Sequence, residues 1–85
     1  MIAFHYCVTA EQGIHARPAG ALAKIAKKYS SELTMSCGQA TCNVKSLVSL
    51  MLLAVRQGDR IILSAHGSDE EQAIAELKEY IQTYL

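Results

Sequence analysis

The chain is 85 residues long, 51% hydrophobic and 19% charged, and its eight lysines and arginines balance eight aspartates and glutamates. That composition fits one small folded domain over residues 1–85 and excludes a disordered chain or one with bulk affinity for nucleic acid. The longest apolar run, Leu50 to Val55, falls far short of the roughly 18 residues of a membrane span, and no secretory leader opens the chain; the expected location is the cytoplasm, without membrane insertion.

In chain order, Ile2, Phe4, Tyr6 and Val8 alternate with Ala3, His5 and Cys7, the period of a half-buried strand. A polar turn follows and ends at Gly13. Pro18 then marks a helix's first turn, the one helical region that tolerates a missing N–H. Behind it Ala19, Leu22, Ala23, Ala26 and Tyr29 recur at helical spacing, with Lys24, Lys27 and Lys28 off that stripe. Leu33, Met35 and Cys37 alternate with Thr34 and Ser36 as a second strand. Gly38-Gln39 suits a two-residue turn with glycine first, and Ala40 to Val44 returns as the partner strand.

Leu47 to Val55 is almost wholly apolar, a pattern that fits a buried strand or a short helix. Ser46 directly before it is a good N-cap and tips the reading toward helix. Gly58, in Arg56-Gln57-Gly58-Asp59, is the expected C-terminal cap. Ile61, Ile62 and Leu63 form a further strand. Ser68-Asp69-Glu70-Glu71 reads as a capping box opening a last helix, whose stripe is Ile74, Leu77, Ile81 and Tyr84. The order β-α-β-β-α-β-α predicts an α+β domain, with three amphipathic helices on one face of a mostly antiparallel sheet.

Cys7, Cys37 and Cys42 are an odd number without metal-site spacing. They read as small, buried apolar side chains rather than as a disulfide or a metal site, and no cofactor is implied.

The chemistry concentrates in Gly13-Ile14-His15-Ala16-Arg17-Pro18-Ala19. His15 falls at or just before a helix N-terminus. There the free N–H groups, those of Ala16 and Arg17, and the positive end of the dipole favour an anion. Arg17 adds forked donors suited to phosphate oxygens. A nucleophilic imidazole beside such a cradle suits a group that briefly carries a phosphoryl. A histidine near a helix start, taken alone, is more often a cap or a solvated residue. His5, on the non-core phase of its strand, and His66, in a turn before Gly67, are of that bland kind.

Charge is also uneven along the chain. Arg17, Lys24, Lys27, Lys28 and Lys45 precede the acidic last helix with Asp69, Glu70, Glu71, Glu76 and Glu79, which predicts a basic face near His15 for acidic partners. Leu47, Val48 and Met51 share one side of a helix too apolar to be buried all round. They are either core or an exposed docking patch.

The heptapeptide, its place near the start of the chain, the segment Asn43-Val44-Lys45-Ser46-Leu47, the Gln57-Gly58-Asp59 turn and the acidic start of the last helix together resemble the HPr family. These are the histidine-containing phosphocarriers of the bacterial phosphoenolpyruvate-dependent sugar phosphotransferase system. The resemblance covers the whole chain. It implies an open-faced β-sandwich, a four-stranded antiparallel sheet covered on one face by three helices. It further implies that His15, through Nδ1, takes a phosphoryl group from enzyme I and passes it to IIA domains of sugar permeases, as a carrier and not as an enzyme. Arg17 and the N–H groups of Ala16 and Arg17 would steady the phosphate. Lys24, Lys27, Lys45, Leu47, Val48 and Met51 would dock partners.

The matching serine of many Gram-positive members is phosphorylated by a regulatory kinase, so the resemblance also implies HPr kinase/phosphorylase and a catabolite repressor as partners acting through Ser46. Two alternatives belong to the same family. One is a regulatory binding module working through phosphorylated Ser46, although paralogues of that kind lack the histidine. The other is the nitrogen-related branch of the phosphotransferase system. Ser49 and Ala54 stand where many members have glycine.

Overall fold

Seven elements follow the expected order in the computed structural model, which describes Met1–Leu85. They are β1 (Ile2–Cys7), α1 (Ala16–Ala26), β2 (Glu32–Cys37), β3 (Ala40–Asn43), α2 (Leu47–Leu53), β4 (Arg60–His66) and α3 (Glu70–Tyr84). The strands form one sheet in the order β1-β4-β2-β3 with every neighbouring pair antiparallel. Alternation decides which face is covered. Leu33 and Met35 of β2 and Ile61, Leu63 and Ala65 of β4 point into the core, and Thr34 and Ser64, paired across the strands, point away. The helices close that core with Ala19, Leu22, Ala23 and Ala26 of α1, Leu50 of α2, and Ala73, Ile74, Leu77 and Ile81 of α3. Small residues dominate the α1 contribution, and the helix packs closely against its neighbours α2 and α3. The fold is the open-faced sandwich expected.

Several local readings change. The partner strand ends at Asn43; Val44 lies just beyond it, buried, with its N–H donating to the Leu33 carbonyl at 2.9 Å. Ser46 does cap α2, its Oγ accepting the Ser49 N–H at 3.1 Å. Gly58, however, is not the far cap. Helix α2 stops at Leu53 because Val55 turns into the core, and Ala54 takes the left-handed conformation (φ 56°, ψ 46°), its N–H reaching the Met51 carbonyl. Gly58 belongs to the next turn, where its N–H donates to Val8.

A left-handed alanine is strained, by about 1–2 kcal/mol. Ala54→Gly is therefore expected to raise stability by about 0.5–1 kcal/mol after glycine's own entropic penalty. Thermal unfolding should show the midpoint rising by about 2–8 °C, and an unchanged midpoint would mean that Ala54 carries no such strain.

The capping box is also rearranged. Asp69, not Ser68, occupies the N-cap of α3, and its carboxylate makes no cap bond. It accepts instead from the N–H groups of Ser30 (2.9 Å) and Ser31 (3.0 Å) and from both serine hydroxyls, which pins the α1–β2 connection to the start of α3. Glu70 reaches back to the Gly67 N–H at 3.0 Å. The Ser31 hydroxyl, followed by the Ser30 N–H, holds the Asp69 carboxyl down at about 2, from an ordinary value of 3.8. A depressed folded-state value means that this stabilisation is complete above pH about 4 and is lost as pH falls toward 2. Asp69→Asn should lower stability at pH 7 and flatten the acid decline between pH 4 and 2, as read by urea unfolding at those pH values; parallel curves for the two proteins would refute this.

Three smaller corrections concern side chains. Tyr84 is exposed and packs against Tyr80 with ring centroids 4.7 Å apart and the planes tilted by 35°, rather than joining the buried stripe. Cys7 is exposed and Cys37 and Cys42 are half-buried, so none is a fully buried filler; all three are free thiols. Burial raises the Cys37 and Cys42 thiols, with Asp59 adding to the effect on Cys37. His66 closes β4 opposite Glu32 instead of lying in a turn.

Candidate functional site

The segment between β1 and α1 is tied down by a series of hydrogen bonds. Thr9 and Ala10 donate their N–H groups to the Leu85 carbonyl at 2.6 and 2.9 Å. Gly13 closes a turn onto Ala10 at 3.0 Å, and Ile14, itself buried, donates to the Val55 carbonyl at 3.1 Å. Gly13 has φ +59°, and a Cβ placed there would stand 2.8 Å from the Arg56 Cα and 2.9 Å from the Val55 carbonyl carbon. Only glycine fits. Where the chain leaves this clamp, His15 is exposed, with extended backbone (φ −106°, ψ −169°).

His15 is the N-cap of α1, and its side chain makes no capping bond. The N–H groups of Ala16 and Arg17 have no partner in the chain, Pro18 has none to give, and the first helical bond runs from Ala19 to the His15 carbonyl at 3.0 Å. No acidic residue stands in the first turn. The positive end of this helix is thus uncompensated, with an unengaged imidazole at its threshold. A helix terminus at an exposed site is worth about 0.3–1 kcal/mol to an anion, a weak grip suited to a group that must leave again. Arg17, also exposed, adds its charge one residue into the helix.

The other candidates are more dispersed than the sequence suggested. Lys24 lies seven residues beyond Arg17, about 10 Å along the helix axis, with Lys27 beyond it; both are exposed. Lys28 is turned toward α3 and pairs with Glu76, which also accepts from the Tyr29 hydroxyl. Lys45 and Ser46 follow Val44, which is bonded to Leu33 at the start of β2, so they sit at the opposite end of the sheet from His15. The basic face expected near His15 therefore reduces to Arg17 at the site and lysines strung away from it. Leu47, Val48 and Met51 are 43%, 66% and 42% exposed, so they are not core and form an exposed apolar patch. Leu52, missed in the sequence, extends the patch at 79% exposure. Helical geometry could have found it, since two residues beyond the buried Leu50 is the opposite side of a helix. No cluster of three or more His, Cys, Asp or Glu side chains is placed to hold a metal ion, and no helix is long and apolar enough to cross a membrane.

Comparison with known proteins gives concordant matches. A family model described as PTS HPr component phosphorylation site matches residues 2–83. The chain is 42% identical over 76 residues to the phosphocarrier protein HPr of Haemophilus influenzae, covering 89% of each. It is 39% identical over 79 residues to the phosphocarrier protein HPr of Mycoplasma capricolum, covering 93% of this chain and 89% of that one. Among solved structures, a mycoplasma histidine-containing phosphocarrier protein superposes with a TM-score of 0.94 at 36% identity, over 96% of this chain and 93% of that one.

Proposed function

The chain belongs to the HPr family of phosphotransferase-system phosphocarriers, and from that premise we propose that His15 is the residue that carries the phosphoryl group. The observation that carries this reading is the uncapped start of α1, with the imidazole free at its threshold. In the uptake step the unprotonated ring nitrogen, Nδ1, attacks the phosphorus of phosphorylated enzyme I, which phosphoenolpyruvate has charged. The new nitrogen–phosphorus bond forms as the donor's bond to phosphorus breaks, and the electron pair returns to the donor. Release to a IIA domain of a sugar permease is the same displacement with His15 as the leaving group. The N–H groups of Ala16 and Arg17 and the Arg17 guanidinium face the charge that accumulates on the phosphoryl oxygens. Lys24, Lys27 and Lys45 steer acidic partners, and Leu47, Val48 and Met51 dock them, in the cytoplasm.

Ser46 supports a second, regulatory role. Its hydroxyl already sits at a helix N-terminus, where a phosphate is electrostatically tolerated, and phosphorylation adds about two negative charges without unfolding the helix. A kinase and a repressor reading that phosphate would be added to the carrier role, since His15 is present. The nitrogen-related branch remains the alternative assignment of the partners.

The test is direct. The purified protein is incubated with phosphoenolpyruvate, magnesium and enzyme I, and its intact mass is measured. A gain of one acid-labile phosphate is expected. No gain with an active enzyme I and a folded protein would sink the carrier reading.

A further inference from the structure

We infer that Arg56 supplies a second guanidinium to the phosphoryl group on His15, an inference that rests on His15 being the phosphorylated residue. The turn after α2 is laced to the segment that presents His15. Val55 accepts from Ile14 at 3.1 Å, Gln57 Nε2 donates to the Thr9 carbonyl at 3.1 Å, Gly58 donates to Val8 at 2.8 Å, and Val8 donates to Asp59 at 2.9 Å. Val55 and Arg56 together face Gly13, Arg56 so closely that a Cβ on Gly13 would lie 2.8 Å from its Cα. His15 is two residues on, so its Cα is at most about 7.6 Å from that of Gly13. An arginine side chain spans such a gap.

The backbone of Arg56 is fixed and its side chain is not. The Arg56 N–H donates to Asp59 Oδ2 at 2.9 Å, which sets the turn, while the exposed guanidinium makes no hydrogen bond or ion pair within the chain. The remaining cations are placed elsewhere. Of the eight lysines and arginines, Lys24 and Lys27 lie down α1, Lys28 is paired with Glu76, and Lys45 is at the other end of the sheet. Lys78 sits over the Phe4 ring, and Arg60 starts β4 opposite the exposed Cys7. Only Arg17 and Arg56 have main chains abutting the segment that carries the imidazole. Two forked cations flanking a helix N-terminus match a phosphoryl dianion in charge and in geometry.

The test separates a grip on phosphate from an effect on docking. Phosphorylated wild-type protein is mixed with an equal amount of unphosphorylated Arg56→Ala, with enzyme I added in trace as the catalyst of exchange. Intact mass then resolves the two phosphoproteins at equilibrium. Docking cancels at equilibrium, so the partition reports only how well each protein holds the phosphate. Wild type should hold about two to five times as much as Arg56→Ala at low salt, the range of a solvent-exposed ion pair. Arg56→Lys should fall between them, and the ratio should contract toward one at high salt. An even partition at low salt would overturn the inference, even if uptake by Arg56→Ala were slower, because Arg56 would then be meeting the partner rather than the phosphate. Failure of the wild type to take phosphate at all would overturn the carrier reading, and this inference with it.

Discussion

His15→Ala should take no phosphate from charged enzyme I and should otherwise be indistinguishable from the wild type. The side chain is exposed, makes no hydrogen bond and does not cap α1, so truncating it removes no interaction that the fold uses. The thermal midpoint should move by no more than about 2 °C, the equivalent of a few tenths of a kcal/mol in a domain of this size. Activity should vanish rather than decline, because alanine offers no nucleophile and no neighbouring group replaces it. The rival histidines make this a sharp test. His5 and His66 are also exposed, but both lie on strands, and the start of α3 beyond His66 already carries two acidic residues, Glu70 and Glu71, in its first turn. If His15→Ala still gained an acid-labile phosphate, one of those residues would be the acceptor, and the argument from the uncapped helix would fail. Arg17→Ala is the graded companion: it removes one charge and leaves the nucleophile, so uptake should weaken without disappearing.

What could be read from the sequence was whatever depends on neighbours in the chain. Alternation in β1 and β2, Pro18 at the head of α1 and Ser46 capping α2 are short-range patterns, and each holds in the structure. Sequence pattern and structure part where the deciding partner is remote. Ser68-Asp69-Glu70-Glu71 has the spacing of a capping box, yet Ser30 and Ser31 stand within reach and claim the Asp69 carboxylate. Gly58 is the natural stop for α2 by sequence, but burying Val55 in the core ends the helix earlier, at an alanine. The site itself divides in the same way. His15 and Arg17 are two residues apart on a helix start and could be placed without a structure. Lys45, adjacent in sequence to the predicted patch, lies at the far end of the sheet because β2 and β3 reverse the chain before it.

The most consequential of these remote contacts involves Gly13, and its replacement should show the largest loss of stability. Alanine there must adopt a left-handed backbone, at about 1–2 kcal/mol, while its methyl group presses on the Val55 carbonyl and the Arg56 backbone. Overpacking against rigid main chain adds about 1–3 kcal/mol, so Gly13→Ala should lose roughly 2–5 kcal/mol in all. That is a large fraction of a typical domain's stability of about 5–15 kcal/mol, and the midpoint should drop by at least about 8–16 °C. Gly38→Ala separates the two contributions. Gly38 has nearly the same φ, +63°, but a Cβ there meets nothing within 4 Å, so its loss should be the backbone part alone. The excess at Gly13 then measures the clash. The clash is relieved only by moving Val55 and Arg56 away from the loop, which breaks the Ile14–Val55 bond and releases His15 from its place at the head of α1. Phosphate uptake by Gly13→Ala should accordingly fall further than its folded fraction, whereas uptake by Gly38→Ala should track it. Equal losses in the two variants would mean that the clamp yields without strain, and that His15 is positioned by the helix rather than by the loop behind it.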